Sequence, residues 1–195
     1  RIPLSDVAIG TVSNLGMLAE VLDTGDNRER LGNTVYGAFG RDFVTADNIR
    51  LMIMAITPRQ WTGLVKVLDI AGEIAVIEST RRVSFARDEG ARFEHRDALF
   101  PLVEARVSKR LFDDLKAAFD ANGCCYGPYQ TMKQAAHDPV LVGNNPVFSE
   151  GNNPSGLSYP AAGAMASIPQ LARQPAASAP LLGQHTDRVL ESVLG

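Results

Sequence analysis

The chain has 195 residues, 45% of them hydrophobic, and a formal net charge of −3. That is enough length and apolar content for one medium domain with a buried core. The slight acidity removes any electrostatic case for nucleic-acid binding. No apolar run approaches the ~20 residues needed to span a bilayer. Arg1-Ile2-Pro3-Leu4 has neither the apolar stretch nor the cleavage site of a secretory signal. It also has no initiator Met, so the expectation is a start in the middle of a longer protein.

Leu4, Ala8, Val12, Leu15, Ala19 and Leu22 recur at helical spacing and predict a helix over 5–22, with Ser5 or Asp6 able to cap it. Asp23 to Asn27 is turn chemistry, and a polar stretch follows to Gly40. A β-hairpin is predicted over 42–56. Its first strand is Asp42 to Thr45, its turn Ala46-Asp47-Asn48, and its second strand Ile49 to Ile56, buried on both faces. Thr57-Pro58-Arg59-Gln60 is a capping box with proline at the first helical position. Trp61, Leu64, Val65 and Leu68 continue it as one apolar stripe, read as core. Residues 71–91 are ambiguous: Ile74-Ala75-Val76-Ile77 suits a strand or a short helix. Two helices are predicted over 92–122. Phe93, Phe100, Val103 and Val107 line the first; Leu111, Leu115, Ala118 and Phe119 line the second, with Ser108 as its cap. Asn122-Gly123 is a stop signal.

Cys124 to Pro128 reads as extended, and Thr131-Met132-Lys133-Gln134 as a second capping box whose helix stops before Pro139. The stretch 139–180 is a long connection with short strands near Val147-Phe148 and Met165. A last helix starts near Thr186, with Val189, Leu190, Val193 and Leu194 on its apolar face. The only cysteines are the adjacent Cys124 and Cys125, which fits a reducing, cytoplasmic setting. They read as buried structural residues, with no basic group nearby in sequence to activate them. His95 is expected on a helix surface, His137 at a helix end, and His185 as part of a helix cap. Neither the histidines nor the cysteines have metal-ligand spacing, so no metal is expected.

Four stretches, in order, resemble the C-terminal half of family III CoA-transferases. They are Gly32-Asn33 with Tyr36-Gly37-Ala38-Phe39-Gly40, Ile53 to Trp61, Gly123 to Pro128 with the following helix ending at His137-Asp138-Pro139, and Ala179 to Asp187. The family usually has Glu where this chain has Gln184. Within the family, Tyr36 to Phe43 and Tyr126 to Thr131 look most like the 2-methylfumaryl-CoA isomerases, which shift CoA from one carboxyl of a substrate to the other.

The resemblance implies an α/β protein. A small α+β domain over 41–123 would hold the hairpin and helices; 1–40 would be a connecting helix and glycine-containing loop. Residues 124–195 would be a return segment and C-terminal helix packing toward a Rossmann-like large domain mostly absent from this chain. It also implies an acyl-CoA substrate, no covalently bound cofactor, an interlocked homodimer and no nucleic-acid or membrane partner. Alone, such a chain would leave apolar surface uncovered and associate. The nucleophilic Asp, which forms acyl and thioester intermediates, would lie in the missing N-terminal half, so no catalytic residue is assigned here and the isolated chain is expected to be inactive. Gly37, Ala38, Phe39 and Gly40 correspond to a loop covering the reacting acyl group, here a bulkier and stiffer lid than a run of glycines. A plain turn before the hairpin is the alternative. Tyr126, Gly127 and Pro128 would close a strand near the interdomain cleft, with a structural turn equally open. A 2-methylacyl-CoA racemase of the same fold and a non-catalytic truncated module are the competing functional readings.

Overall fold

The computed structural model describes residues 1–195 apart from the side chain of Asn152. It divides into two compact units, Arg1–Tyr129 and Gln130–Gly195. The first is built on a three-stranded antiparallel sheet of β1 (Phe39–Val44), β2 (Arg50–Ala55) and β3 (Cys125–Pro128), in that order. Cys125–Pro128, expected to open the return segment, is thus the third strand of this sheet. In the register, Phe43 faces Leu51 and Ile53 faces Tyr126. The tight turn is closed by Thr45, whose hydroxyl accepts from Ile49 N at 3.0 Å, and by Asn48 at φ 62°.

β2 corrects one expectation. Leu51, Ile53 and Ala55 are buried, whereas Met52 and Met54 on the other face are only half-buried. Six apolar residues in a row hid a strand covered fully on one side, because methionine fits either environment.

Seven helices surround the sheet. α1 (Leu4–Asn14) and α2 (Met17–Thr24) replace the single predicted helix. Gly16, at φ 77°, turns the chain between them. Neither helix buries a residue. α3 (Pro58–Leu68) starts at the predicted capping box: Gln60 N donates to Thr57 Oγ1 at 3.3 Å, and Thr57 N donates to Gln60 Oε1 at 3.0 Å. The ambiguous segment is helix α4 (Ala71–Arg81), which buries only Ile74. α5 (Glu89–Glu94) is capped by Asp88, which accepts from Ala91 N at 3.0 Å. α6 (Arg96–Val107) buries Leu99, Phe100, Val103 and Val107. α7 (Phe112–Asn122) is not capped by Ser108 as predicted. Leu111 is its N-cap residue, and the carboxylate of Asp47 in the hairpin turn accepts from Phe112 N at 3.1 Å. A cap supplied from a distant turn leaves no local sequence signature.

One continuous core runs from Phe39 to Phe119. Arg92 is the exception within it: fully buried, it donates from Nη2 to Ile56 O at 2.8 Å while Nε and Nη1 have no partner. Its guanidinium lies 5.6 Å from the Trp61 ring centre.

The second unit holds α8 (Met132–His137), which has the predicted capping box, then one π-helical turn, Pro139–Gly143. A hairpin of β4 (Phe148–Asn152) and β5 (Ser158–Ala162) follows, and then α9 (Thr186–Leu194). The second strand falls short of the predicted Met165. Ala161 is the only buried apolar side chain among the described residues of this unit. The apolar face of α9 is exposed at Val189, Leu190, Val193 and Leu194.

Helices α3 and α7 meet backbone to backbone at Gly63. A Cβ there would stand 2.4 Å from Asn122 O, and a backbone oxygen cannot swing aside. Gly63→Ala gains up to ~1 kcal/mol of helix propensity but forces the helices apart, which costs roughly 1–3 kcal/mol. Net destabilisation is the expected outcome in urea melts; a more stable variant would mean that the contact yields freely.

Candidate functional site

The residues before β1 form a pinned turn. Thr34 N donates to Leu31 O at 3.1 Å and Val35 N to Gly40 O at 2.8 Å. Gly37 adopts φ 75° with open space around its Cα, so glycine is needed there for conformation. Gly40 is needed for a different reason. A Cβ at that position would lie 2.6 Å from Val35 Cγ2.

The structure places the four loop candidates unevenly. Gly37 is half-buried, and Ala38, Phe39 and Gly40 are buried. Phe39 is a core residue: its ring lies 5.4 Å from Phe100, 5.6 Å from Trp61 and 6.2 Å from Phe43. Swinging it out would forfeit several kcal/mol of burial and packing. The turn's exposed side chain is Tyr36, at 54%.

Beside Tyr36 lies a cleft of about 350 Å³, lined in part by Glu20, Arg28, Glu29, Phe93 and Arg96. The Tyr36 hydroxyl donates to Glu20 Oε1 at 2.7 Å. The Arg28 guanidinium lies 4.2 Å over the Tyr36 ring, and Phe93 packs against Tyr36 at 5.1 Å. Arg96 lies 4.4 Å over Phe93 and reaches Glu29 Oε2 at 3.1 Å. A second concavity of about 320 Å³ includes Asn33, Arg41, Asp42, Arg50 and Glu104. Burial pushes the Asp42 carboxyl up. Hydrogen bonds from backbone and Asn33, together with Arg50 at 2.6 Å, outweigh that and hold it below the usual carboxylate range.

Tyr126, Gly127 and Pro128 are not brought together with the loop, because β2 lies between β1 and β3. Tyr126 packs on Phe119 at 5.1 Å and donates to Asp120 Oδ1 at 2.7 Å. Burial first, then the Asp120 hydrogen bond, push its hydroxyl up to about 12. Cys124 and Cys125 are half-buried rather than buried, and unbridged. Burial, then Cys125, push the Cys124 thiol up to about 11, so it is protonated at neutral pH. His95 sits at the α5–α6 junction with its ring edge on Phe85 at 6.1 Å, not on an open helix surface. His137 Nδ1 contacts Lys133 O at 2.7 Å. His185 precedes α9 but its side chain makes no cap, contrary to expectation. No group of three His, Cys, Asp or Glu is placed to hold a metal ion among the described residues.

Sequence reading missed Glu20, Arg28, Glu29 and Arg96. The one local signal was the i, i+3 spacing of Phe93 and Arg96, which lets a guanidinium lie on a ring.

Mixed helices around small antiparallel sheets match the α/β fold of CaiB/BaiF proteins. The structure aligns with a CaiB/BaiF family protein from Brucella suis at TM-score 0.61 and 22% identity, over 96% of this chain and 46% of that one. It also aligns with Rv3272 from Mycobacterium tuberculosis at TM-score 0.58 and 17% identity, over 94% and 45%. The chain belongs to CoA-transferase family III, whose model matches residues 1–186. It is 34% identical to 2-methylfumaryl-CoA isomerase of Chloroflexus aurantiacus over 100% of this chain and 48% of that protein. It is 25% identical to human succinyl-CoA:glutarate CoA-transferase over 78% and 33%. The chain therefore spans half the length, or less, of these curated relatives.

Two outcomes are expected. Phe39→Ala should cost about 3–5 kcal/mol in chemical denaturation, far more than a lid residue would. In a spectrophotometric titration of the four tyrosines, one should ionise late, near 12, and Tyr126→Phe should remove that step. Because the folded pKa is raised, the associated stability is present below about 10 and is lost as pH rises toward 12.

Proposed function

We propose that this chain is part of an enzyme that moves CoA between the two carboxyls of one dicarboxylic acid, as a 2-methylfumaryl-CoA isomerase does. The observation that carries this reading is 34% identity to such an isomerase along the whole chain, against 25% over 78% for the intermolecular transferase. The substrate is an acyl-CoA thioester, and no further cofactor is needed.

In this reading a carboxylate nucleophile, an Asp of the complementary half, attacks the thioester carbonyl. It gives an acyl anhydride and releases CoA thiolate. The thiolate then attacks the enzyme's carbonyl, forming an enzyme thioester and freeing the substrate carboxylate. The substrate's other carboxylate attacks that thioester, forming a second anhydride and expelling CoA thiolate; the thiolate then attacks the second acyl carbon, giving the new substrate thioester and releasing the Asp carboxylate. Water must be kept from the anhydride throughout.

The part of this chain assigned to that task is the turn at Tyr36 and Gly37, with Ala38, Phe39 and Gly40 as its anchor. Phe39 in the core supports a short, stiff cover. A cover of that kind suits a cycle that never exchanges one acid for another. Tyr126, Gly127 and Pro128 stay with the sheet in this assignment, and the functional assembly is a homodimer.

The test is chromatographic. The chain is co-expressed with the half of the Chloroflexus isomerase that it does not match, and 2-methylfumaryl-CoA is followed to the regioisomer with CoA on the other carboxyl. Conversion without an added acceptor acid is expected, with none from the chain alone. A requirement for a second acid would make it an intermolecular transferase. With a saturated 2-methylacyl-CoA as substrate instead, exchange of its α-proton with deuterated solvent would point to a racemase.

A further inference from the structure

The cleft beside Tyr36 contains two arginines seated over two touching rings. Arg28 lies 4.2 Å over Tyr36, Arg96 lies 4.4 Å over Phe93, and the ring centres are 5.1 Å apart. A guanidinium seated over a ring face is partly ordered in advance, so less freedom is lost when a planar anion binds it.

Neither arginine is fully used. Arg28 Nε stands 2.9 Å from Glu20 Oε2 but lacks hydrogen-bond alignment with it. The terminal nitrogens of Arg28 donate to no protein acceptor among the described residues. Arg96 donates from Nη1 to Phe93 O at 3.0 Å and from Nη2 to Glu29. The Glu29 side chain is 77% exposed, and an ion pair that open is weak and exchangeable. Glu29 is thus a protein carboxylate resting where another carboxylate fits.

We propose that this cleft is a carboxylate subsite. It takes the free carboxylate of a small dicarboxylic acyl group on the open edge of Arg28, with Glu29 displaced from Arg96. The identity of the acyl group rests on the function proposed above; the subsite itself rests on the geometry. The cavity of about 350 Å³ falls in the range of small-ligand pockets. Charge selects the ligand class. Glu20, Asp26 and Glu29 already outnumber the two arginines lining the cleft. One ligand carboxylate entering as the Glu29 carboxylate swings out leaves the charge around the two arginines unchanged, with a diacid's second carboxylate held a carbon chain away, whereas a phosphate dianion puts both charges at one point. Placed next to the turn, the subsite would hold the substrate's unreacted end while the other end is transferred.

The test titrates the purified chain with succinate and with 2-methylfumarate, following amide and arginine side-chain NMR signals. Dimethyl succinate and inorganic phosphate are the controls. Saturable binding of both diacids is expected, without comparable binding of either control. Arg28→Gln should weaken it about tenfold or more, with circular dichroism reporting that the fold is kept. Glu29→Gln should tighten it a few-fold by freeing Arg96, a gain that a purely structural salt bridge would not give. Because Glu29 is exposed, this variant decides the matter even if Arg28→Gln fails to fold. No saturable binding, equal binding of phosphate, or unchanged affinity in Glu29→Gln would overturn the subsite. In the co-expressed enzyme, turnover with an unchanged KM in Arg28→Lys would sink the subsite alone. Diacid binding without any CoA shift would sink the function and leave the subsite standing.

Discussion

Phe39 sits where sheet, α3 and α6 meet, and the geometry of the first unit depends on it. Its ring contacts Phe43, Trp61 and Phe100, and Trp61 passes the contact on to Phe85. Each of these side chains is buried or nearly so. At roughly 1.5–3 kcal/mol for each fully buried large side chain, plus about 0.5–1.5 for a well-placed aromatic pair, this cluster outweighs every ion pair in the unit. The pairs Arg41–Glu104 and Arg81–Asp97 have at least one partner more than half exposed, and such pairs are worth about 0–1 kcal/mol. The surface charges therefore orient loops; the aromatic cluster holds the elements together.

The same cluster fixes where motion is available. Gly37 stands two residues before Phe39, and between them Ala38 is buried. Val35 is tied to Gly40 by a backbone bond and by the absent side chain of Gly40. A glycine placed to let two chains touch restricts the backbone as firmly as a glycine at positive φ frees it. Gly37 and Gly40 thus have opposite physical effects, and reading both as sources of flexibility treats them as one kind of residue.

Legibility in the sequence followed the range of the interactions. The two capping boxes at Thr57 and Thr131, the stop at Gly123 and the hairpin around Asp47 were readable because each is closed by residues within about four positions of one another. Segment 71–81 was not. Val76 is exposed and only Ile74 is buried, so its apolar residues mark no face. The true cap of α7 was hidden because Asp47 and Phe112 are far apart in the chain. The Arg28–Tyr36–Phe93–Arg96 stack was hidden for the same reason, since it joins the loop before β1 to the α5–α6 junction. Phe39 misled in the opposite direction. Its neighbours Gly37 and Gly40 carry the loop pattern, and nothing local says that the ring between them belongs to the core.

The two ends of that short loop are held differently. A cover that must admit a second acid has to open between half-reactions, and opening requires a hinge on each side. Here the downstream side is a buried aromatic ring and a strand paired with β2. The upstream side is a half-exposed tyrosine held by the Phe93 ring, by Arg28 and by a hydroxyl bond to α2, a helix that buries no residue of its own. Were the proposed cover to move, the displacement would be one-sided and run through Tyr36, whose ring also carries Arg28. Movement of the cover and grip on a carboxylate would then share one side chain. In an intramolecular transfer, holding the unreacted carboxylate would keep the cover closed until the second transfer is complete.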